Sequence, residues 1–255
     1  MKIKFIGTGS GKTSLKRFHS SILISVPNYN LLFDCGDSTS RALLKSEIEF
    51  NSINGIIFSH LHPDHFSGLG DLLVQMKMTN RKKQLDIFAG KNQVKFIKEY
   101  ILNSCLLPER MNLNFIIHEF DSASEININN EFIVLPKLNN HLSELKNYPQ
   151  YKNISFDSFS FLINNGEKKI VYTADIGTSE DLYLFRENKI DLFISETSHV
   201  SFEELFTAHQ KLKPGKTILT HISNDDETIL KNKIENSKSA YSEIKLAFDG
   251  FEIHI

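Results

Sequence analysis

The stretch Ile56-Ile57-Phe58-Ser59-His60-Leu61-His62-Pro63-Asp64-His65 carries three imidazoles and a carboxylate within six residues. They follow directly from a short run, Gly55–Ser59, that reads as a strand of a buried sheet. Imidazole and carboxylate are the usual ligands of Zn, Mn or Fe. One tight turn, here carrying Pro63, cannot aim all four groups at a single ion. It can divide them between two neighbouring ions, His60 and His62 on one, Asp64 and His65 on the other. With 10 His in 255 residues, three in six is far from a random scatter.

Further ligands are expected at the ends of other strands, where rigid supports deliver polar groups to the mouth of a sheet. Asp175 ends the apolar run Ile170–Ala174, and His221 ends Ile218–Thr220. His141 lies in a polar loop; its competitor, His118, sits within a strand-like run and reads as structural. A different histidine, His199, follows the apolar run Asp191–Ile194 together with Glu196. An imidazole at such a strand end can donate a proton or a hydrogen bond to a leaving group.

Around these points strands recur in both halves of the chain with helical spacing between them. Lys2–Gly7, Ser21–Val26, Asn30–Cys35, Asp86–Ala89, Asn114–His118, Glu131–Leu135, Asp157–Ile163, Lys169–Thr173, Asp191–Ser195, Thr217–Thr220 and Glu243–Phe248 read as strands. Thr39–Ser46, Leu69–Met76, Lys91–Leu102 and Glu203–Lys213 read as helices. Asn164-Asn165-Gly166 marks a hairpin, and Asn139–Asn153 an irregular loop. The pattern predicts one α/β domain over 1–255, two sheets back to back with helices outside.

Bulk properties narrow the function classes. The formal charge of −2 gives no reason for a general nucleic-acid or membrane surface. No apolar run approaches the ~20 residues that span a bilayer, and the first residues do not read as a signal peptide, so a cytoplasmic enzyme is expected. Cys35 and Cys105 form no CxxC pair. Gly11-Lys12-Thr13 imitates a phosphate loop, but Gly7 stands one residue too close. The loop, with Ser10, and Arg17 and His19 behind it, is read instead as lining the substrate cleft.

The chain resembles the ribonuclease Z-like branch of the metallo-β-lactamase superfamily. Phe5-Ile6-Gly7-Thr8-Gly9-Ser10, Leu32-Phe33-Asp34-Cys35-Gly36-Asp37, the His60 motif with Gly68-Leu69, Tyr172-Thr173-Ala174-Asp175, Leu219-Thr220-His221-Ile222-Ser223 and Asp249-Gly250 match its motifs in order. The resemblance implies a four-layer αββα sandwich and a homodimer. It implies a first ion on His60, His62 and His141, a second on Asp64, His65 and His221, and Asp175 bridging both. Asp34 would orient ligating histidines, and Asp64, Glu196 and His199 would form the catalytic set, His199 acting on the leaving group without binding metal and Glu196 orienting it, with Ser201 replacing the Thr of the family's His-x-Thr motif. The ions are expected to be Zn, with Mn or Fe as alternatives, sharing a hydroxide that attacks the substrate.

Such a centre serves several electrophiles, so the fold alone does not fix the substrate. The ribonuclease proper grips tRNA with a long arm after the third ligand histidine. Only 33 residues separate His141 from Asp175 here, and they include the hairpin. The expected substrate is therefore a small or cyclic phosphodiester or nucleotide. Precursor tRNA is the runner-up, which would make RNA the partner. Lactone or thioester hydrolysis, or a non-catalytic metal-binding regulator, complete the alternatives.

Overall fold

The computed structural model describes residues 1–235 and 243–255. Its strands are β1 (Lys2–Gly7), β2 (Ser21–Val26), β3 (Tyr29–Phe33), β4 (Gly55–Ile57), β5 (Leu85–Gly90), β6 (Phe115–Phe120) and β7 (Ile126–Ile128). They continue as β8 (Phe132–Leu138), β9 (Phe159–Asn164), β10 (Lys169–Tyr172), β11 (Leu192–Ser195), β12 (Lys216–Leu219), β13 (Ile244–Leu246) and β14 (Glu252–His254). The helices are α1 (Thr39–Lys45), α2 (Pro63–Phe66), α3 (Leu69–Met78), α4 (Val94–Asn103), α5 (Pro108–Met111), α6 (Phe202–Leu212) and α7 (Asn224–Glu235).

Two seven-stranded sheets result, ordered β14-β1-β2-β3-β4-β5-β6 and β13-β12-β11-β10-β9-β8-β7. Each is antiparallel at one side and parallel at the other. β3, β4, β5 and β6 run parallel in the first sheet, and β10, β11, β12 and β13 in the second. Parallel strands are covered on both faces, which is why β4 and β11 are buried throughout.

Three apolar clusters set the layers. Phe5, Phe33 and Ile57 of the first sheet meet Phe161, Tyr172 and Ile194 of the second in a central core. The other face of the first sheet packs Leu32, Ile56 and Ile87 against Leu43, Leu72 and Ile97 of α1, α3 and α4. The other face of the second packs Phe193 and Leu219 against Leu205 and Leu230 of α6 and α7. The predicted αββα arrangement is the one observed.

Among the elements that escape the sequence reading, β7 and α7 do so for physical reasons. β7 is three residues long and set among asparagines, too short for a period to register. α7 buries only Leu230, so its apolar stripe is too thin to stand out in NDDETILKNKIE. The loop expected over Asn139–Asn153 contains two short 3₁₀ turns, Ser143–Asn147 and Pro149–Tyr151. The Asn-Gly hairpin forms as read, with Gly166 at φ 88°.

Candidate metal centre

The functional side chains gather at the C-terminal ends of the parallel strands of both sheets, the usual mouth of an α/β fold. Asp34 leaves β3, the His60 turn leaves β4, and Asp175, Glu196 and His221 follow β10, β11 and β12. The chain turns sharply here. Asp34, Ala174 and His221 all adopt positive φ, of 61°, 50° and 54°. Such conformations in residues other than glycine concentrate at functional sites. The backbones pack tightly too: a Cβ on Gly36 would collide with the Asp64 carbonyl, and one on Gly68 with that of Gly36. After His62, Pro63 opens α2 and turns Asp64 and His65 back beneath the preceding imidazoles.

All seven residues nominated as ligands meet here, in two clusters sharing one carboxylate. His60, His62, His141 and Asp175 bring their donor atoms within 4.8 Å of one another, and so do Asp64, His65, His221 and Asp175. Asp175 Oδ2 faces the first cluster, 3.7 Å from His141 Nε2 and 4.0 Å from His60 Nε2. Its Oδ1 faces the second, 3.2 Å from His65 Nε2 and 3.4 Å from His221 Nε2. His62 Nδ1 lies 3.2 Å from His141 Nε2, and Asp64 Oδ2 lies 3.1 Å from His221 Nε2.

The donor set fits divalent metal. His60 Nε2, His65 Nε2 and Asp175 Oδ1 are buried and make no hydrogen bond, a costly state for isolated polar atoms. Burial pushes the His60, His62 and His141 imidazoles down, His141 to about 4, so they stay neutral with lone pairs available. His65 behaves oppositely. Burial works against its charge, yet Asp175 and Asp34 on either side push its pKa up. Two carboxylates call for positive charge at this point. Asp64 is held at about 2: burial would raise it, but His221 and His65 outweigh that.

A surrounding shell aims these rings. Asp34 accepts hydrogen bonds from His65 Nδ1 at 2.8 Å, Ser59 N at 2.8 Å, Ser59 Oγ at 2.9 Å and Tyr172 Oη at 3.0 Å. Its orienting role, expected from resemblance, thus has a geometric basis. Ser59 Oγ also lies 3.0 Å from His60 Nδ1, and Ser198 Oγ lies 3.1 Å from His221 Nδ1. Asn139 accepts from the His141 backbone and donates to the Asp175 carbonyl. The sequence reading assigns no role in the site to Ser59, Tyr172, Ser198 or Asn139. A polar residue at the end of each buried strand was the available signal, and it applies to Ser59 alone. His118 lies elsewhere, bonded to Asp86 at 2.9 Å.

His199 stands at the rim. Its ring centroid is 4.7 Å from that of His141 and 6.1 Å from that of His221. Glu196 is buried and receives the backbone N–H groups of Ser198 and His199, and its Oε1 lies 3.2 Å from His199 Nδ1. That hydrogen bond raises the His199 pKa against the opposing effect of burial. Ser201 caps α6 instead of reaching the site, accepting from Glu204 N.

The three residues expected in the substrate cleft fare differently. Arg17 is buried, and its guanidinium donates to Thr8 Oγ1 at 2.6 Å and the Ala247 carbonyl at 2.9 Å while pairing with Glu227. These partners occupy it inside the fold, so it braces the glycine-rich loop. His19 is also buried, with neither ring nitrogen hydrogen-bonded. Ser10 is buried at the root of a loop whose next residue, Gly11, lies against the Asp64 carboxylate.

Residues 1–240 match the family model described as anti-Pycsar protein Apyc1. The chain belongs to that family. Ribonucleases Z are among its curated relatives, and it falls in the ribonuclease Z-like branch of the metallo-β-lactamase superfamily. It is 35% identical to ribonuclease Z of Methanococcus aeolicus over half of this chain, a match spanning only 39% of that relative's length. Ribonuclease Z of Picrophilus torridus is 26% identical, with 100% of this chain and 96% of the relative covered. Among solved structures, the metallo-β-lactamase fold protein YhfI from Bacillus subtilis superposes with a TM-score of 0.75. It shares 19% identity, with 99% of this chain and 98% of YhfI covered.

Proposed function

We propose that this Apyc1-family chain is a metal-dependent hydrolase that cleaves a small or cyclic phosphodiester or nucleotide. His60, His62, His141 and Asp175 would hold one divalent ion, and Asp64, His65, His221 and Asp175 a second. Zn is the first expectation, with Mn and Fe as alternatives. Ions held there supply Lewis acidity and make water nucleophilic near neutral pH. The observation that carries this reading is the division of the Asp175 oxygens between two histidine clusters.

The chain's own residues supply the rest. Asp34 and Ser198 fix the orientation of His65 and His221. Asp64 lies at the boundary of the second cluster and the glycine-rich loop, where it can orient the attacking water. His199, with Glu196 behind Nδ1, presents Nε2 for donation to the departing oxygen. An alkoxide leaves poorly unless protonated or stabilised, and the hydrogen bond to Glu196 favours the protonated imidazole that would supply that proton.

The preference for a small substrate rests on what the chain lacks relative to its relatives. The match to the Picrophilus ribonuclease Z extends over 307 positions, 52 more than this chain has residues, so that relative carries inserted segments. Between His141 and Asp175 this chain has two 3₁₀ turns and a hairpin, with no extended arm. The second reading, tRNA 3′ processing, is favoured by the name its curated relatives carry.

The deciding experiment is a substrate panel on metal-reconstituted protein: an aryl phosphodiester, cyclic nucleotides, precursor tRNA, a lactone and a β-lactam. Cleavage of the small diesters well above the rest is expected. Efficient cut at the tRNA 3′ boundary would favour the second reading, and a preference for the lactone or β-lactam would overturn both.

A further inference from the structure

Six of the seven ligands stand in the His60 turn or directly after a parallel strand. His141 does not. It lies in the loop after β8, a strand paired antiparallel on both sides. The rings of His60, His65 and His221 meet Ser59, Asp34 and Ser198 at Nδ1. The support of His141 reaches its backbone instead, through Asn139 and through its neighbour Asn140. Asn140 leads to a buried carboxylate outside the ligand set, Asp181. From the His141 loop, Asn140 N donates to Asp181 Oδ2 at 3.1 Å and Asn140 Nδ2 donates to Oδ1 at 2.8 Å. From the loop after Asp175, Gly177 N and Thr178 N donate to Oδ2 at 3.0 and 3.2 Å. Capping of the 3₁₀ turn Ser179–Tyr183 accounts for the Thr178 bond. It does not account for the two bonds from Asn140, which is 41 residues away. The same junction is sterically tight. A Cβ on Gly177 would stand 2.3 Å from the Asn140 carbonyl oxygen and 2.8 Å from His141 N.

We infer that Asp181 is a positioning residue that assembles the first metal site, by holding the His141 loop against the loop that follows Asp175. This inference rests on the two-ion reading and adds to it the control of one ion by a residue that ligates neither. A carboxylate accepting several N–H bonds is a strong clamp, since bonds to an ionised acceptor are roughly twice as strong as neutral ones. The clamp matters because Zn–N bonds of about 2.0–2.1 Å leave little room for a displaced ring. Its effect is selective. Asp64 and His65 follow β4 and His221 follows β12, so the second cluster takes only Asp175 from the clamped loops. Asp175 in turn follows β10, which is paired on both sides by β9 and β11. A brace that served the fold at large would weaken both ions together or neither.

The test is a calorimetric titration of metal-free protein with Zn²⁺. His141→Ala and His221→Ala each remove a ligand of one cluster and so identify which binding event belongs to which ion. Asp181→Ala should weaken the event that His141→Ala removes by about 10–100-fold, the range for groups that orient ligands. The other event should change much less. Asp181→Asn should stay closer to the parent than Asp181→Ala does. Its amide oxygen can accept the backbone N–H groups, and its NH₂ can donate to the Asn140 side chain turned round. Gly177→Ala forces the same loops apart with Asp181 in place, and should reproduce the selective loss. It decides the matter if Asp181→Ala fails to fold. Unchanged affinity for the first ion, equal weakening of both ions, or an Asn variant as weak as the Ala one would overturn the inference and leave the two-ion reading standing. A parent chain that takes up fewer than two ions would overturn that reading and the inference with it.

Discussion

Glu196 Oε1 lies 3.2 Å from His199 Nδ1, so the imidazole at the rim of the metal centre is held by a buried carboxylate. His199→Ala should keep the fold and the bound metal. It should lose roughly 10²–10⁴-fold in turnover on a diester with an alkoxide leaving group. With nitrophenolate the loss should shrink, since that group departs without help. Metal analysis beside kinetics on the two substrates separates this role from ligation. A fall in metal content would make His199 a ligand.

Asp175→Ala removes the carboxylate that faces both clusters. The purified protein should bind two divalent ions per chain, and the variant should lose at least one, measured by elemental analysis after reconstitution. An active protein indifferent to chelators would contradict the two-ion assignment.

Asp34 touches no substrate, yet it accepts from His65, Ser59 and Tyr172 together. Asp34→Asn replaces one acceptor oxygen by a donor, which the N–H groups of His65 and Ser59 cannot use and which forces the Ser59 and Tyr172 hydroxyls to turn round. Metal affinity should fall by about 10–100-fold, the range for groups that orient ligands. Competition with a chromophoric chelator reads this directly, and circular dichroism should report an intact fold.

At the opposite end of the first sheet, Asp86 accepts from Tyr29 Oη and Gln84 and meets His118 Nε2 at 2.9 Å. Partial burial works to raise the Asp86 pKa, but His118, Gln84 and Tyr29 together hold it below the usual carboxylate value. A depressed carboxylate contributes stability above its unfolded pKa, about 3.9, and loses it as pH falls through the lower folded value. Asp86→Asn should therefore cost about 1–2 kcal/mol at pH 7. The difference from the parent should narrow as the pH falls below the unfolded carboxylate value. Urea titrations of both proteins at pH 7, 4 and 3 check the sign.

The His60 turn was legible because its ligands are adjacent in sequence, and Asp175 and His221 because each ends an apolar run. His141 stood in a polar loop and was harder to separate from His118. What placed it was the Asn139 side chain, which ties that loop to the end of β10. Tyr172 and Ser198 could not be read at all. Serine and tyrosine are common, and their role depends on which ring nitrogen they meet across the fold. Arg17 failed for a similar reason: a cation near a glycine-rich loop suggests an anion site, while its partners are Ala247 and Glu227, more than 200 residues away.

Asp249 accepts from Thr8 N at 3.0 Å, Thr8 Oγ1 at 2.6 Å and Phe18 N at 2.7 Å, fastening the root of the glycine-rich loop. These partners are separated by 241 and 231 residues. A ribosome adding about 5–20 residues per second needs roughly 12–48 s to travel from the first to the second. Throughout that interval the loop that leans on Asp64 lacks its Asp249 contacts, although the His60 turn was translated long before. The emerging polypeptide can thus expose histidines to metal while the mouth of its catalytic centre is still unshaped. The Asp249 fastening of that mouth is among the last contacts of the fold to become available.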